Sequence, residues 1–510
     1  MKLSRLLALA GIDYPEGVSD REITGIVTDS RKVVAGAMFI ALKGLRSDGH
    51  DFIKTAIEAG ASVIVAERVR DACVGGAAII LVDSTRIAAA LLYNAWYERP
   101  SDKMRFIGIT GTNGKTTVSR MIYALLERSG VKSGLIGTLG AYFGDLERFE
   151  GTVQDPLANM TTPDVEELYF ILAKMAERGI ETVVMEVSSH ALALGKTDAL
   201  SFDVGVFTNL TQDHLDFHGD MESYFLAKKR LLLRCRRAVV NIDDSYGKRI
   251  FDERPDMSVS CSLRGAGDFF ASRIQRRGTD GYSFSIENGG ARRDVELSLC
   301  GEFNVMNALE AFAAVSEYSG ESNFSSEIAA ALFSSFSGAE GRMEAAYKGE
   351  FFAYIDYAHT PDALENLLKE ARKMAGEGRV ILVFGCGGDR DRSKRKEMGR
   401  IATRYADLTV ITSDNSRSES AEEIFSQIMK GVDKEREHTI IQSRKDAIEY
   451  AVLHARARDI VLLAGKGHER YEIDRSGRHY FDEREILREA IGKKYGSMEL
   501  TRRNSGKESQ

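Results

Sequence analysis

Gly108-Ile-Thr-Gly-Thr-Asn-Gly-Lys-Thr-Thr117 decides the fold of this chain. It follows Lys103-Met-Arg-Phe-Ile107, which reads as the approach to a buried strand. It precedes Val118 to Arg128, where Val118, Met121, Ile122, Leu125 and Leu126 fall at i, i+3, i+4, i+7 and i+8, one apolar face of a helix. Strand, glycine loop and helix are the setting of a phosphate-binding loop. Gly111 and Gly114 let the backbone curl until its N–H groups, with those of Thr112 and Asn113 between them, point inward, and the helix N-terminus adds its positive end. Lys115 then reaches the β- and γ-phosphates of ATP, the Thr116 hydroxyl sits on Mg²⁺, and Thr117 completes the first turn. The spacing is a short variant: the usual pattern puts a glycine at Ile109, and here the glycines are Gly108 and Gly111.

Working outward, 510 residues suffice for about three domains. The net charge of −7 argues against a nucleic-acid surface, which carries a basic footprint. Five cysteines, Cys73, Cys235, Cys261, Cys300 and Cys386, form no CxxC pair and read as free thiols of a reducing cytoplasm. Met1 to Ala10 reads as a short first helix rather than a signal peptide, and no run approaches the ~18 apolar residues of a membrane span.

Residues 1–100 alternate β-type runs (37–42, 62–66, 78–82) with helical stretches, and Arg99-Pro-Ser-Asp102 reads as the hinge into a second domain, 101–338. A third domain, 339–497, carries apolar strands at 379–384, 408–412 and 459–464, separated by helical patterns. The fold class is α/β, with a mostly parallel central sheet and a doubly wound third domain. A polar tail, 498–510, lacks the apolar residues to order itself. Each third-domain strand ends in a polar loop: Gly385-Cys-Gly-Gly-Asp-Arg-Asp391, Ser413-Asp-Asn-Ser-Arg-Ser-Glu419 and Gly465-Lys-Gly-His-Glu469. Open α/β sheets bind ligands at the carboxyl ends of their strands, so these loops outline a pocket for an anionic or zwitterionic small molecule.

Glu186 ends the apolar strand Thr182–Val187, with His190 four residues on and His214 after Gly205-Val-Phe-Thr-Asn-Leu-Thr-Gln-Asp213. Hard oxygen and imidazole donors without thiolates suit Mg²⁺ or Mn²⁺. Together with Asp356-Tyr-Ala-His359 and Ala227-Lys228, these motifs resemble the Mur ligases, cytoplasmic enzymes of peptidoglycan precursor synthesis, over nearly the whole chain. Thr28-Asp-Ser-Arg-Lys32 and Lys43-Gly44 through Asp48-Gly-His50 resemble the UDP-binding domain of the family's diaminopimelate-adding branch.

The resemblance implies an ATP-dependent ligase that joins meso-diaminopimelate to UDP-N-acetylmuramoyl-L-Ala-D-Glu through an acyl phosphate. It implies that Lys115, Glu186, His214 and Lys228 carry catalysis. Two Mg²⁺ ions are expected on Thr116, Glu186, His214 and Lys228, the last as a CO₂-derived carbamate. Asn304, Asn307, Arg342, Asp356 and His359 would complete the ATP site. Ser30, Thr161, Thr162, Ser188 and Lys196 would hold the muramyl dipeptide, although Leu194-Gly-Lys196 stands where many relatives have Gln-x-Arg. Arg390, Asp414, Asn415, Arg417, Gly465 and Glu469 would hold diaminopimelate. A monomer is expected.

Arg417 discriminates. Diaminopimelate has a second carboxylate that lysine lacks, and a guanidinium can grip it bidentately. Ser416 replaces the proline of the signature Asp-Asn-Pro-Arg, and Ser393-Lys-Arg-Lys replaces Gly-Lys-Arg-Pro. Two other readings stand beside this one: a folylpolyglutamate synthase, which shares the phosphate loop, and a non-ligating P-loop ATPase, which leaves the third-domain loops without purpose.

Overall fold

The computed structural model describes all residues except 45–46, 70–75, 145–146, 149–159, 321–325 and 506–510. Cys73 therefore lies outside the described residues.

The N-terminal part is a four-stranded parallel sheet, in the order Ile26–Val27, Met38–Ile40, Val63–Ala66, Ala78–Leu81. Met38, Ile40, Val63 and Val65 point to one face, where the helices Leu3–Ala10 and Thr85–Trp96 cover them. Phe39, Ile64 and Ala66 point to the other, against Ile53 and Ala56 of a short helix. That alternation is the period-2 pleat of a sheet covered on both faces. At the exit, Glu98 and Arg99 are both left-handed (φ 59° and 53°), so the chain turns sharply before the strand Arg105–Thr110.

Among the described residues the central sheet has eleven strands. Its parallel heart runs Ser133–Gly137, Thr182–Glu186, Arg105–Thr110, Phe202–Phe207, Cys235–Asn241, Ser258–Ser262. Ile107, Ile109 and Val184 face the phosphate-loop helix Lys115–Arg128 and the helix Glu302–Ser319, while Phe106, Val183 and Met185 face Leu168, Leu172, Phe225 and Leu231. Burying each such side chain contributes roughly 1.5–3 kcal/mol. Phe269–Arg276 pairs parallel with Ser258–Ser262, and antiparallel strands then extend both edges, notably Tyr282–Asn288 and Ala291–Leu297.

The third sheet runs Glu344–Lys348, Phe352–Asp356, Ile460–Ala464, Val380–Phe384, Leu408–Ile411, His438–Ile440, parallel except at its first edge. The four strands ending at Asp356, Ala464, Phe384 and Ile411 are neighbours, so their following loops gather at one carboxyl edge. The terminal helix Glu483–Ser505 corrects one expectation. Where the sequence alone predicts an unstructured tail from 498, the helix runs on to Ser505, consistent with the helix-forming Glu, Leu, Met and Arg residues there.

Candidate active site

One cleft of about 710 Å³ lies between the central and third sheets. The phosphate loop forms its middle. Gly111 and Gly114 are left-handed (φ 147° and 88°). A Cβ on Gly111 would collide with the Thr208 hydroxyl, and one on Gly114 would come within 2.6 Å of Asn307 Oδ1. The loop is pinned from below, as Asn113 N donates to Asn209 Oδ1 (2.9 Å) and Thr208 Oγ1 donates to Asn113 O (2.6 Å). The shifted glycine spacing thus still delivers a closed loop. Lys115 Nζ is folded onto that loop, donating to the carbonyls of Gly111 (3.0 Å) and Thr112 (2.9 Å). Enclosure lowers its pKa, with Glu186 opposing.

Glu186 is buried at the strand end. Its carboxylate accepts from Thr116 Oγ1 (3.0 Å), Thr138 Oγ1 (2.9 Å) and Thr138 N (3.1 Å). Carboxylate and hydroxyl are hard oxygen donors side by side, and Mg²⁺ usually takes one or two such ligands plus water and phosphate. The pair therefore fits Mg²⁺, although no group of three His, Cys, Asp or Glu side chains forms a metal cluster among the described residues. Thr138 escapes sequence reading, because a lone threonine after a strand carries no signal.

His214 (φ 53°) stands 3.3 Å from Asp213 Oδ2. Its ring packs edge-on to His190, centroids 4.8 Å apart. Burial lowers its pKa to about 3 despite Asp213. Asp213 also faces the third domain, 3.7 Å from both His359 Nε2 and Lys394 Nζ. Burial pushes its carboxyl up, and the surrounding histidines and lysine outweigh that, holding it well below the usual range. Lys228 does not line the cleft. It is buried behind the loop, donating from Nζ to Gly111 O (2.7 Å) and lying 4.6 Å from the Tyr224 ring centre. Burial, reinforced by Lys115, holds its ammonium well below the ordinary lysine range.

Arg342 stacks over Tyr357 (4.6 Å) and donates to Thr116 Oγ1 at 3.4 Å, reaching the phosphate loop from the domain junction. Asp356 accepts from the backbone N–H groups of Met343 (2.6 Å) and Ala358 (2.8 Å). Asn304, Asn307 and His359 line the same region. On the other side of the loop stand Thr161, Thr162, Ser188 and Lys196. Thr162 Oγ1 donates to Glu186 O (2.9 Å) and accepts from Ser188 N (3.0 Å), while Lys196 pairs with Asp164 (2.8 Å). Ser30, in a short 3₁₀ turn of the N-terminal domain, does not line this cleft.

Arg390, Asp414, Asn415, Arg417, Gly465 and Glu469 converge on the third-domain wall. Asn415 is locked from both ends. Its Nδ2 donates to Glu469 Oε2 (2.7 Å), and its Oδ1 accepts from Lys466 Nζ (3.1 Å) and Ile473 N (3.0 Å). Burial, then repulsion from Asp414, raises the Glu469 carboxyl. Arg417 is left-handed (φ 51°) and donates to Gly388 O (2.8 Å), tying two loops together. Ser416 keeps the turn without proline, since its carbonyl accepts from Glu419 N (3.0 Å), and Ser393 Oγ accepts from Gln212 Nε2 (2.9 Å) across the cleft.

Three family profiles match the chain: "Mur ligase family, catalytic domain" at residues 22–102, "Mur ligase middle domain" at 109–315 and "Mur ligase, glutamate ligase domain" at 341–467. The chain is 41% identical over 499 residues to the UDP-N-acetylmuramoyl-L-alanyl-D-glutamate--2,6-diaminopimelate ligase of Syntrophomonas wolfei subsp. wolfei, covering 96% of this chain and 99% of that one. It is likewise 41% identical over 502 residues to the ligase of the same name from Bacillus cereus, covering 96% and 98%. A solved structure of a ligase with this name superposes with a TM-score of 0.66 at 30% identity, covering 97% and 100%. Folylpolyglutamate synthase of Mycobacterium tuberculosis shares the fold over 75% of this chain and 92% of its own, at 20% identity and a TM-score of 0.62.

Proposed function

The chain belongs to the Mur ligase family, and from that premise we propose that it is the ATP-dependent ligase that joins meso-diaminopimelate to UDP-N-acetylmuramoyl-L-Ala-D-Glu. The observation that carries this reading is one cleft with a phosphate loop in its middle and the Asp414–Arg417 and Gly465–Glu469 loops on the facing wall. The folylpolyglutamate alternative leaves the N-terminal sheet and Arg417 unexplained. The enzyme acts as a monomer in the cytoplasm. No described helix is long and apolar enough to cross a membrane.

The chemistry follows from charge. The D-glutamate side-chain carboxylate must approach a triphosphate, and the two repel. Lys115, swinging from its own loop carbonyls, and Arg342 bring positive charge to the meeting point. Thr116 and Glu186 would hold Mg²⁺, which supplies further neutralisation of the phosphates. A carboxylate oxygen then bonds to the γ-phosphorus as the bond to ADP breaks. The diaminopimelate amine attacks the acyl carbon, phosphate leaves and a proton is released. Arg417 grips the distal carboxylate, and Glu469 faces the distal ammonium. Thr161, Thr162, Ser188, Lys196 and, at the uridine, Ser30 orient the muramyl dipeptide. As a carbamate, Lys228 would be an anion behind the phosphate loop and with His214 would help hold a second Mg²⁺. Its burial beside Lys115 supports this, because only a neutral amine captures CO₂.

The test is the order of ADP release. A ligase releases ADP at its full rate only with both acid and amine present. Rapid ADP release from ATP and Mg²⁺ alone would instead mark a non-ligating ATPase.

A further inference from the structure

The helix Glu302–Ser319 carries Asn304, Asn307 and Glu310 at i, i+3 and i+6. Helical side chains lean toward the N-terminus, so the Glu310 carboxyl leans toward the turn that bears Asn307. Glu310 is fully buried, lines the cleft, and neither of its oxygens has a hydrogen-bond partner. A buried polar group without a partner is costly and demands an explanation. Each of the neighbouring amides already donates once within the protein, and not to Glu310. Asn304 Nδ2 donates to Cys300 O (2.7 Å), Asn307 Nδ2 to Asn304 Oδ1 (2.8 Å) and Asn241 Nδ2 to Thr208 O (2.8 Å).

The position of this carboxyl along the cleft is fixed by its surroundings. Lys115, Thr116 and Glu186 mark the phosphates. Thr161, Ser188, Arg390 and Arg417 occupy the acid and amine side. Asn241, Phe303, Asn307, Glu310, Asn366 and Leu367 are among the residues that line the rest, which leaves room for the base.

We propose that Glu310 is a specificity-determining residue that hydrogen-bonds the amino edge of the adenine base. This rests on the nucleotide-dependent ligase reading above. Burial, with Asp244 adding repulsion, raises the carboxyl well above the ordinary glutamate range, which favours the neutral acid. A neutral acid offers one O–H donor and one carbonyl acceptor. The adenine edge offers the complement, an exocyclic N–H donor beside a ring-nitrogen acceptor. A purine without the exocyclic amine leaves the carbonyl oxygen of Glu310 unsatisfied.

The experiment is calorimetric binding of ADP and of purine riboside diphosphate, which lacks the amine, to the full chain with Mg²⁺. Because it needs no turnover, its outcome is separate from that of the ligation assay. The wild type should bind ADP about 10-fold or more tightly than the amine-free analogue. Glu310→Gln, whose amide keeps a donor and an acceptor, should retain the preference. Glu310→Leu should lose it while melting no lower without nucleotide, since it removes an unpartnered buried acid. Equal affinities in the wild type, or a preference that survives in Glu310→Leu, would overturn the proposal.

Discussion

Lys228 shows how one residue's surroundings set its chemistry. A lysine amino group in water is protonated and inert toward CO₂. Here burial and Lys115 disfavour the cation, and the amine sits 2.7 Å from a phosphate-loop carbonyl. The expected result is that CO₂-depleted buffer slows ligation and bicarbonate restores it. Lys228→Met should lose on the order of 100-fold in rate and ignore bicarbonate. A variant as fast as wild type would remove the carbamate from the account. The motif residues Lys115, Glu186 and Arg417 were legible from sequence because each sits at a fixed offset from a glycine, a strand end or an Asp-Asn pair. Glu310 and Thr138 were not, since neither belongs to a spaced motif; burial reveals the first and hydrogen bonds to Glu186 the second.

Among elements, the loops of the third domain owe their shape to buried ion pairs. Arg395, fully buried, forks onto both oxygens of Glu419 at 2.9 Å each and donates to Gly387 O (2.9 Å). Glu419 also accepts from Asp389 N (2.6 Å), so one pair fastens the 385–391 loop to the 413–419 loop. Arg444 plays the same part for the other loops, donating to Ser413 O (3.2 Å), Ala464 O (2.8 Å) and Glu483. Arg395→Leu should cost about 2–3 kcal/mol in urea unfolding, because it removes the buried fork on Glu419 and leaves that carboxylate only Arg392 (3.1 Å) and the Asp389 N–H. It should also raise KM for diaminopimelate more than KM for ATP. A loss of stability below about 1 kcal/mol would contradict the clamp. The continuous apolar strands around 182–186 and 460–464 were readable from composition. These clamps were not, because charged residues in a sequence read as solvent-facing. The strands from Phe269 to Leu297 were also missed, as their mixed polar pattern carries no clean period.

For the whole molecule, the cleft is made of two domains that meet through polar contacts. Asn113 Nδ2 donates to Asp362 Oδ2 (3.0 Å), and Tyr282 OH donates to Glu370 (2.9 Å), both across the boundary. His214 and His468 line that cleft, and His218 packs beside His190 and Tyr224 within the central domain. Burial lowers His214 and His468 to about 3 and His218 to about 4, against 6.5 in the unfolded chain. Their folded pKa values are depressed, so between pH 6.5 and those values the unfolded chain binds protons that the folded one refuses. The urea midpoint should therefore hold above about pH 6.5 and fall as the pH drops toward about 5. A midpoint that rises over that interval would refute these environments.

The most direct test of the central claim is product formation. Purified protein is given ATP, Mg²⁺ and UDP-N-acetylmuramoyl-L-Ala-D-Glu, with meso-diaminopimelate or L-lysine in parallel, and the nucleotide product is weighed by mass spectrometry. The expected product is the diaminopimelate-containing tripeptide, with little lysine product and with Arg417→Ala erasing the preference. A lysine tripeptide formed as fast as the diaminopimelate one would contradict it.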